Sequence, residues 1–548
     1  MVQLSRRQLL AATGAAAVAA LAGCGDGDDS DSTDINDKKA GSMEGFKVGD
    51  QFKAADPLKF SIMMLSNQNY PFNANWPMLA ELKKRTNVSF EPTTVPGSDY
   101  NQKVSVVVGA GNAPQIIPKT YHPAEEAFIA GGAILPVSDY VHLMPHFTDK
   151  VQRWNLQGNL ESISQQDGKY YLLPGLHEAV WQDYTLGVRT DILEKHDLAV
   201  PTTWDELTTT LRGLKKAYPD RYPFSDRWST QTPGPGANNL LGLLAASYGT
   251  YAGWNYQTAH WDDTGGKFVL SATMDQYRQI VQYLQTLVSE KLLDPESFTQ
   301  TDDAARQKFA SGKSFVISVN AQTLVNEARL DLAKTPGAKV AKIPLPTGPL
   351  GATLAGDSRL ECGVMLSKKA LESKNFVAML QFIDWLWYSD AGLMFSKWGV
   401  PGETYTGSVD DGSFKLSPQI KWAGLNPSAP KNLQVDYGYF NGVFAYGGST
   451  KILNTQFSDE EKTFQAEMNK RKTREVAPPH PFSPEEREQA GLLEATITDH
   501  VNQQTLGFIL GKRPLSEWDK YVAELNAKGG DKYVDLANKA YGRFKEKK

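Results

Sequence analysis

Cysteine is scarce in this chain: Cys24 and Cys362 are the only two in 548 residues. Two cannot build a disulfide framework, a four-cysteine zinc site or an iron–sulfur cluster. Basic charge is not in excess either. Lys+Arg number 57 against 62 Asp+Glu, a net charge of −5, so the overall basic balance of a nucleic-acid binder is missing. No apolar run reaches the ~20 residues of a membrane-spanning helix. The eight histidines are scattered; His142 and His146 sit four apart, but Pro145 between them opposes a helical zinc pair. There is no H-E-x-x-H, no phosphate loop ending in Lys-Ser/Thr and no G-x-S-x-G elbow. No internal repeat is visible. No metal or cofactor is expected.

What is present reads as a globular body behind an address. Hydrophobic residues make up 41% and charged residues 22%, the balance of chains with packed cores. The length leaves room for two to four domains. Residues 1–23 have a positive head (Arg6, Arg7) and a charge-free apolar stretch from Leu9 to Ala22, the proportions of a signal peptide. Ser5-Arg6-Arg7-Gln8-Leu9-Leu10 resembles a twin-arginine export signal, with general secretion as the alternative. Leu21-Ala22-Gly23-Cys24 resembles the lipobox of bacterial lipoproteins, in which the cysteine is acylated and becomes the new N-terminus. Cleavage there removes two arginines and no acids and moves the net charge from −5 to −7. Residues 24–49 are rich in Gly, Ser and Asp with few apolar side chains. Such a stretch cannot offset its own ordering and reads as a flexible tether; it lacks the register of an EF-hand loop.

The body alternates strand and helix patterns. Leu58–Leu65 is an apolar run of strand length, Trp76–Arg85 has helical spacing with Pro77 near its start, and Val88–Val95 returns to alternation. Strand, helix, strand predicts a parallel βαβ unit. The clearest helix is Trp204–Tyr218, with Trp204, Leu207, Leu211 and Leu214 on one stripe and a capping box from Thr203 to Glu206. Tyr277–Leu287 and the nearly all-apolar Phe376–Trp387 are further helices, Trp518–Leu525 follows a Ser516-x-x-Asp519 cap, and Val316–Val319 is a short buried strand. The fold class is α/β.

Several pieces, in order along residues 58–544, resemble family 1 extracellular solute-binding proteins of ABC importers. They are Gly168-Lys169-Tyr170-Tyr171-Leu172-Leu173-Pro174, Leu186-Gly187-Val188-Arg189-Thr190-Asp191, and Val200-Pro201-Thr202-Thr203-Trp204-Asp205-Glu206-Leu207. Leu292-Leu293-Asp294-Pro295 and Lys308-Phe309-Ala310-Ser311-Gly312-Lys313 continue the pattern. Gly399-Val400-Pro401-Gly402-Glu403-Thr404-Tyr405 resembles the large lipoprotein branch that includes binders of alginate and other oligosaccharides. Two departures stand out: Asn112-Ala113-Pro114-Gln115 replaces an acidic L-P-D, and no D-x-N-x-D calcium loop is present, so a structural calcium is left open.

The resemblance implies a two-lobe periplasmic-binding-protein-like fold (type II), with ligand clamped between lobes joined by hinge crossings. Carried onto this chain, lobe one holds residues 50–177 and 362–402, and lobe two 178–361 and 403–548. It implies a monomeric, lipid-anchored protein on the extracytoplasmic face of the cell membrane that delivers a carbohydrate, foremost an oligosaccharide, to ABC permease subunits. It does not imply an enzyme. The alternatives are a tethered glycoside hydrolase, for which Glu178 and Asp183 are the carboxylates to test, and a peptide-binding lipoprotein.

A sugar site needs rings to stack on C–H faces and a dense set of polar groups for hydroxyls. Loops with that mix supply the expected ligand contacts: Gln68, Asn69 and Tyr70 after the first strand, Trp181 and Asp183 after the first crossing, Trp228, Trp254, Asn320 at a strand end, Arg359 at the second crossing, and Tyr437 in a Gly/Tyr loop. Asn69 and Asn320 also suit turn-stabilising roles, and Arg359 a surface ion pair. Trp204, Trp385 and Trp387 lie on helix stripes and read as core, and Cys362 as a small buried hydrophobe.

Overall fold

A computed structural model describes residues 35–226, 239–253, 256–354 and 359–547. Signal peptide, lipobox, Cys24 and residues 24–34 of the expected tether lie outside the described residues, as do Trp228 and Trp254; residues 35–49, expected to be flexible, instead pack on the first body, with Ile35, Met43 and Phe46 against its core and the Met43 N–H donating to Gln381 Oε1 (2.8 Å). Eight strands frame the site: β1 (Leu58–Ser66), β2 (Val88–Pro96), β3 (Ile116–Thr120), β4 (Leu173–Leu176), β5 (Thr185–Val188), β6 (Val316–Val319), β7 (Ala341–Lys342) and β8 (Leu360–Leu366).

The βαβ expectation holds. β1 and β2 run parallel in unbroken register from Leu58↔Val88 to Ser66↔Pro96. The connecting helix α1 (Pro77–Thr86) starts with proline at its first turn, where the missing N–H costs nothing. β3 pairs parallel with β1, and β8 runs antiparallel between β3 and β4, giving the order β2-β1-β3-β8-β4. Both faces of this sheet are covered. Phe60, Ile62 and Met64 point into the larger core with α1 and the 376–398 helices, while Met63 points into a second layer with Tyr100, Val104 and Val108. Side chains alternate faces along a strand, so burial on both sides makes β1 an unbroken apolar run.

The second body repeats that logic on a smaller antiparallel sheet, β6-β5-β7. Leu186, Val188 and Val316 face a core built with the helices α2 (Trp204–Ala217) and α3 (Asp275–Ser289); Ile317 and Val319 face a cluster around Phe309 and Leu324. Thr203 caps α2 by accepting from the Glu206 N–H. The reciprocal arm differs from expectation: Glu206 accepts from the N–H and hydroxyl of Thr202 instead. No side chain caps the helix Trp518–Ala527, because Ser516 belongs to a short 3-10 turn that leads into it.

The expected return of the chain to lobe two at residue 403 does not match the packing. Tyr405, Leu416, Trp422, Leu433, Tyr439, Phe444 and Tyr446 lie in the first core. The cause is an aromatic cluster: Trp398 packs on Phe414, Trp422 and Phe440 at centroid distances of 4.9, 5.1 and 5.3 Å. The chain enters the second core only at Phe464.

Three passes of chain thus join the two bodies, and they meet at one seam. The His177 N–H donates to the Arg359 carbonyl (3.0 Å), the Gly448 N–H to the Leu176 carbonyl (2.8 Å), and the Glu178 N–H to the Gly448 carbonyl (3.3 Å). Gly447 has a positive φ of 62°, and a Cβ there would stand 2.3 Å from the Leu176 oxygen, so only glycine allows this approach. Away from the seam the bodies touch again: Arg487 bonds Glu126 and Gln165, and Lys547 Nζ donates to the Gln166 carbonyl (3.0 Å).

Candidate functional site

The first crossing delivers Trp181 and Asp183 just before β5, and Asn320 follows the last residue of β6. β5 and β6 are antiparallel neighbours with Thr185 opposite Val319. The start of one and the end of the other therefore lie at the same edge of the sheet, facing the first body. Trp181, Asp183 and Asn320 line one cavity of about 180 Å³, together with Gln322, Glu461 and the Trp422–Leu425 loop of the first body.

A buried ion pair ties the second-body wall together. Lys342 on β7 is fully buried; its Nζ donates to the Asp183 carbonyl (2.8 Å) and to both oxygens of Glu461 (2.8 and 3.0 Å). Glu461 lies on the helix α4 (Asp459–Met468), and one turn on Gln465 Nε2 donates to the Gln182 carbonyl (2.7 Å). This network fixes the path of the crossing. Asn320 does two jobs. Its side chain caps the next helix by accepting from the Thr323 N–H, and its Nδ2 donates to Asp183 Oδ2 at 3.3 Å. Burial pushes the Asp183 carboxyl up to about 6, against the opposing pull of Lys342 and Asn320.

Trp181 stands between His177 and Phe457, at ring-centroid distances of 5.8 and 6.2 Å. Its indole N–H is buried with no hydrogen-bond partner, as are His177 Nδ1 and the Tyr446 hydroxyl. Buried donors without acceptors are uncommon; Trp181 lines the cavity while this nitrogen is covered in the arrangement seen, so a ligand oxygen reaches it only if the bodies part. Below Trp181, His177 Nε2 meets Glu361 Oε2 at 3.1 Å, and the Gly447 N–H donates to the same oxygen at 2.8 Å. Burial alone would raise the Glu361 carboxyl; His177, Lys119 and the Gly447 amide overcome it and hold it down at about 2. Lys119, at the end of β3, sits over the rings of Tyr121 and Tyr446 at 5.4 and 5.5 Å.

The other expected contacts are dispersed. Gln68 and Asn69 are exposed on the turn after β1, closed by the Asn69 N–H on Asn67 Oδ1 (2.8 Å). Tyr70 is partly buried beside Lys119 and Gln434. Tyr437 packs against the first core and does not line the cavity. Arg359 is at the seam: its Nη2 donates to the carbonyls of Trp154 (2.7 Å) and Glu178 (2.9 Å). Glu178 is also a seam residue, with Oε2 accepting from the Thr450 N–H at 2.6 Å. Cys362 is buried in the first core, and burial pushes its thiol up to about 12. His142 bonds the Asp139 carbonyl, and His146 bonds Asp384 at 2.7 Å. Sequence reasoning missed Trp422, Phe457, Lys342 and Glu461. Trp422 carried a signal, the Trp-Ala-Gly turn at 422–424; the ion pair carried none, since its halves are 119 residues apart.

A second cavity, of about 430 Å³, lies between the 151–170 region and the C-terminal helix. It gathers none of the expected contacts, whereas the smaller one sits beside the seam at the strand ends, where clefts of α/β proteins bind ligands. Among the described residues no group of three or more His, Cys, Asp or Glu could hold a metal ion, and no helix is long and apolar enough to cross a membrane.

Two cores and a cleft beside a three-pass seam define a two-lobe binding-protein architecture. The chain belongs to the family described as bacterial extracellular solute-binding protein, matched over residues 71–387. It is 23% identical to the fructooligosaccharide ABC transporter substrate-binding protein FusA of Streptococcus pneumoniae serotype 4, over 97% of each chain. It is 22% identical to the polygalacturonan/rhamnogalacturonan-binding protein YtcQ of Bacillus subtilis, over 85% of this chain and 88% of that one. Its fold is that of the alginate-binding protein AlgQ2, with a TM-score of 0.66 at 20% identity, covering 90% of this chain and 99% of that one.

Proposed function

We propose that this protein is the substrate-binding lipoprotein of an ABC transporter, capturing an oligosaccharide between its lobes and handing it unchanged to membrane permease subunits. The observation that carries the reading is the cavity wall: the Trp181 ring with an unpartnered N–H, beside Asp183 and Asn320. Ring faces and charge-assisted acceptors are what a polyhydroxylated ligand needs. The names of the relatives point the same way, and they are names of binding proteins. Lobe one comprises residues 35–177 and about 360–448, lobe two the remainder of the folded body. Gln68, Asn69 and Tyr70 form the facing rim. Cys24 carries the lipid, on the strength of Leu21-Ala22-Gly23-Cys24, and holds a monomer at the extracytoplasmic face.

The cavity is narrower than the roughly 300–1,000 Å³ of ordinary ligand pockets, so admitting an oligosaccharide requires the lobes to part. Ligand then stabilises the closed arrangement by binding it better than the open one. The test is a thermal-shift screen of the purified protein against mono- and oligosaccharides and peptides. One sugar class should raise the melting temperature. A response to peptides alone would reject the carbohydrate reading. Steady release of product from a glycan, abolished by Glu178→Gln, would establish the hydrolase.

A further inference from the structure

The charge of the cavity walls extends the carbohydrate reading, on which this inference rests, to the kind of sugar. Three carboxylates line the cavity, Asp183, Glu460 and Glu461, and no described lysine or arginine does. The cations behind them are committed. Lys342 holds Glu461, and Arg329 Nη2 holds Glu460 Oε2 at 2.5 Å while also reaching the Val340 carbonyl. Lys342 reaches Asp183 only through its backbone carbonyl. The side chain of Asp183 is thus met by the Asn320 amide and by no ion pair among the described residues. The nearby cations of the seam do not line the cavity either: Lys119 lies over the rings of Tyr121 and Tyr446, and Arg359 is occupied by main-chain oxygens.

We infer that the site takes neutral oligosaccharides and rejects uronate-containing ones, with Asp183 as the residue that sets this choice. A sugar hydroxyl donates to a carboxylate in a charge-assisted bond. A uronic acid brings a carboxylate of its own. Recognition of such a group calls for an uncommitted guanidinium or ammonium, and the walls hold none among the described residues. Set near Asp183 in a partly dry cleft, the second negative charge is repelled, by an amount that lowers affinity on the order of a hundredfold.

The experiment is isothermal titration of the purified protein with length-matched pairs that differ only at C6: galactotriose against trigalacturonate, and mannotriose against trimannuronate, with kestose and maltotriose as further neutral probes. At low salt at least one neutral trisaccharide should bind, and each uronate about a hundredfold more weakly than its neutral partner or not at all. In Asp183→Asn the gap should narrow by at least about tenfold, through weaker neutral binding and stronger uronate binding, and Asp183→Ser serves as a second variant with circular dichroism as the check of folding. A uronate that binds more tightly than its neutral partner, or an unchanged ratio in both folded variants, overturns the inference and leaves the carbohydrate reading standing. Failure of every sugar to bind removes the carbohydrate reading itself and this inference with it.

Discussion

Removing the Trp181 indole is the most direct test of the cleft. The ring is held between His177 and Phe457, and its N–H has no acceptor in the protein. A pyranose stacked on it would cover about 60 Å² of its face, a third of what such a ring can bury. At about 25 cal/mol per Å² that is about 1.5 kcal/mol. Stacking geometry adds about 0.5 kcal/mol, and a hydrogen bond from the indole N–H adds about 1 kcal/mol. Trp181→Ala should therefore cost about 3 kcal/mol of binding, a loss of roughly 150-fold in Kd. Trp181→Phe keeps a ring and loses the donor, so it should cost about 1 kcal/mol, roughly fivefold. The ladder of wild type, Phe and Ala separates stacking from hydrogen bonding. Titration calorimetry reads the affinities, and a thermal melt without ligand reads the fold. Both variants should melt cooperatively, because Trp181 lies outside both main cores. Wild-type affinity in a folded Trp181→Ala protein would falsify the placement of the ligand against this ring.

Three further perturbations probe the cleft. Burial holds Asp183 at about 6 in the folded protein, above its ordinary range. Below that pH it is protonated and loses its charge-assisted bonds, so sugar affinity should weaken as pH falls from 8 to 5, while Asp183→Asn should give a flat profile. The same sign makes ionised Asp183 a burden on the empty protein. Asp183→Asn should melt above wild type at pH 8 and level with it at pH 3.5; equal melting at both would contradict the burial argument. Lys342→Met leaves Glu461 buried without its cation and should cost about 3–5 kcal/mol of stability, with most of it recovered by adding Glu461→Leu; calorimetric melts of the three proteins decide this. Gly424 has a φ of 88° and faces Val325 across the cleft, where a Cβ would come within 2.6 Å of Val325 Cγ1. Gly424→Val should prop the lobes apart, with at least tenfold weaker binding and a larger radius of gyration in solution; unchanged affinity would show that this edge does not close on the ligand.

Much of the fold is legible in the sequence because its signals are local. β1, α1 and β2 announce themselves by an apolar run, a 3.6-residue stripe and a proline at the first helical turn. The same is true of α2, whose Thr203 cap sits where the spacing puts it. The boundary expected at 403 fails for the opposite reason. What keeps residues 405–446 with the first body is the contact of Trp398 with Trp422 and Phe440, side chains 24 and 42 positions further on. Nothing in a short window encodes that meeting. The cleft shows the same divide. Trp181, Asp183 and Asn320 stand out as rings and polar groups at strand edges, and the structure brings them together. Arg359 looks equally suited until its geometry shows it bonded to main-chain oxygens. The Lys342–Glu461 pair becomes visible only when the fold closes the distance between a two-residue strand and a helix.

The seam of three backbone passes has a mechanical consequence. Because Leu176, His177, Arg359 and Gly448 are laced together by main-chain bonds, a protease nick in any single pass leaves two others intact, and the halves do not come adrift. The lacing also resists twisting, which would strain those bonds, far more than it resists bending along the line they define. Away from that line the contacts of Arg487 with Glu126 and of Lys547 with Gln166 brace the angle between the halves, and any change of that angle has to strain them.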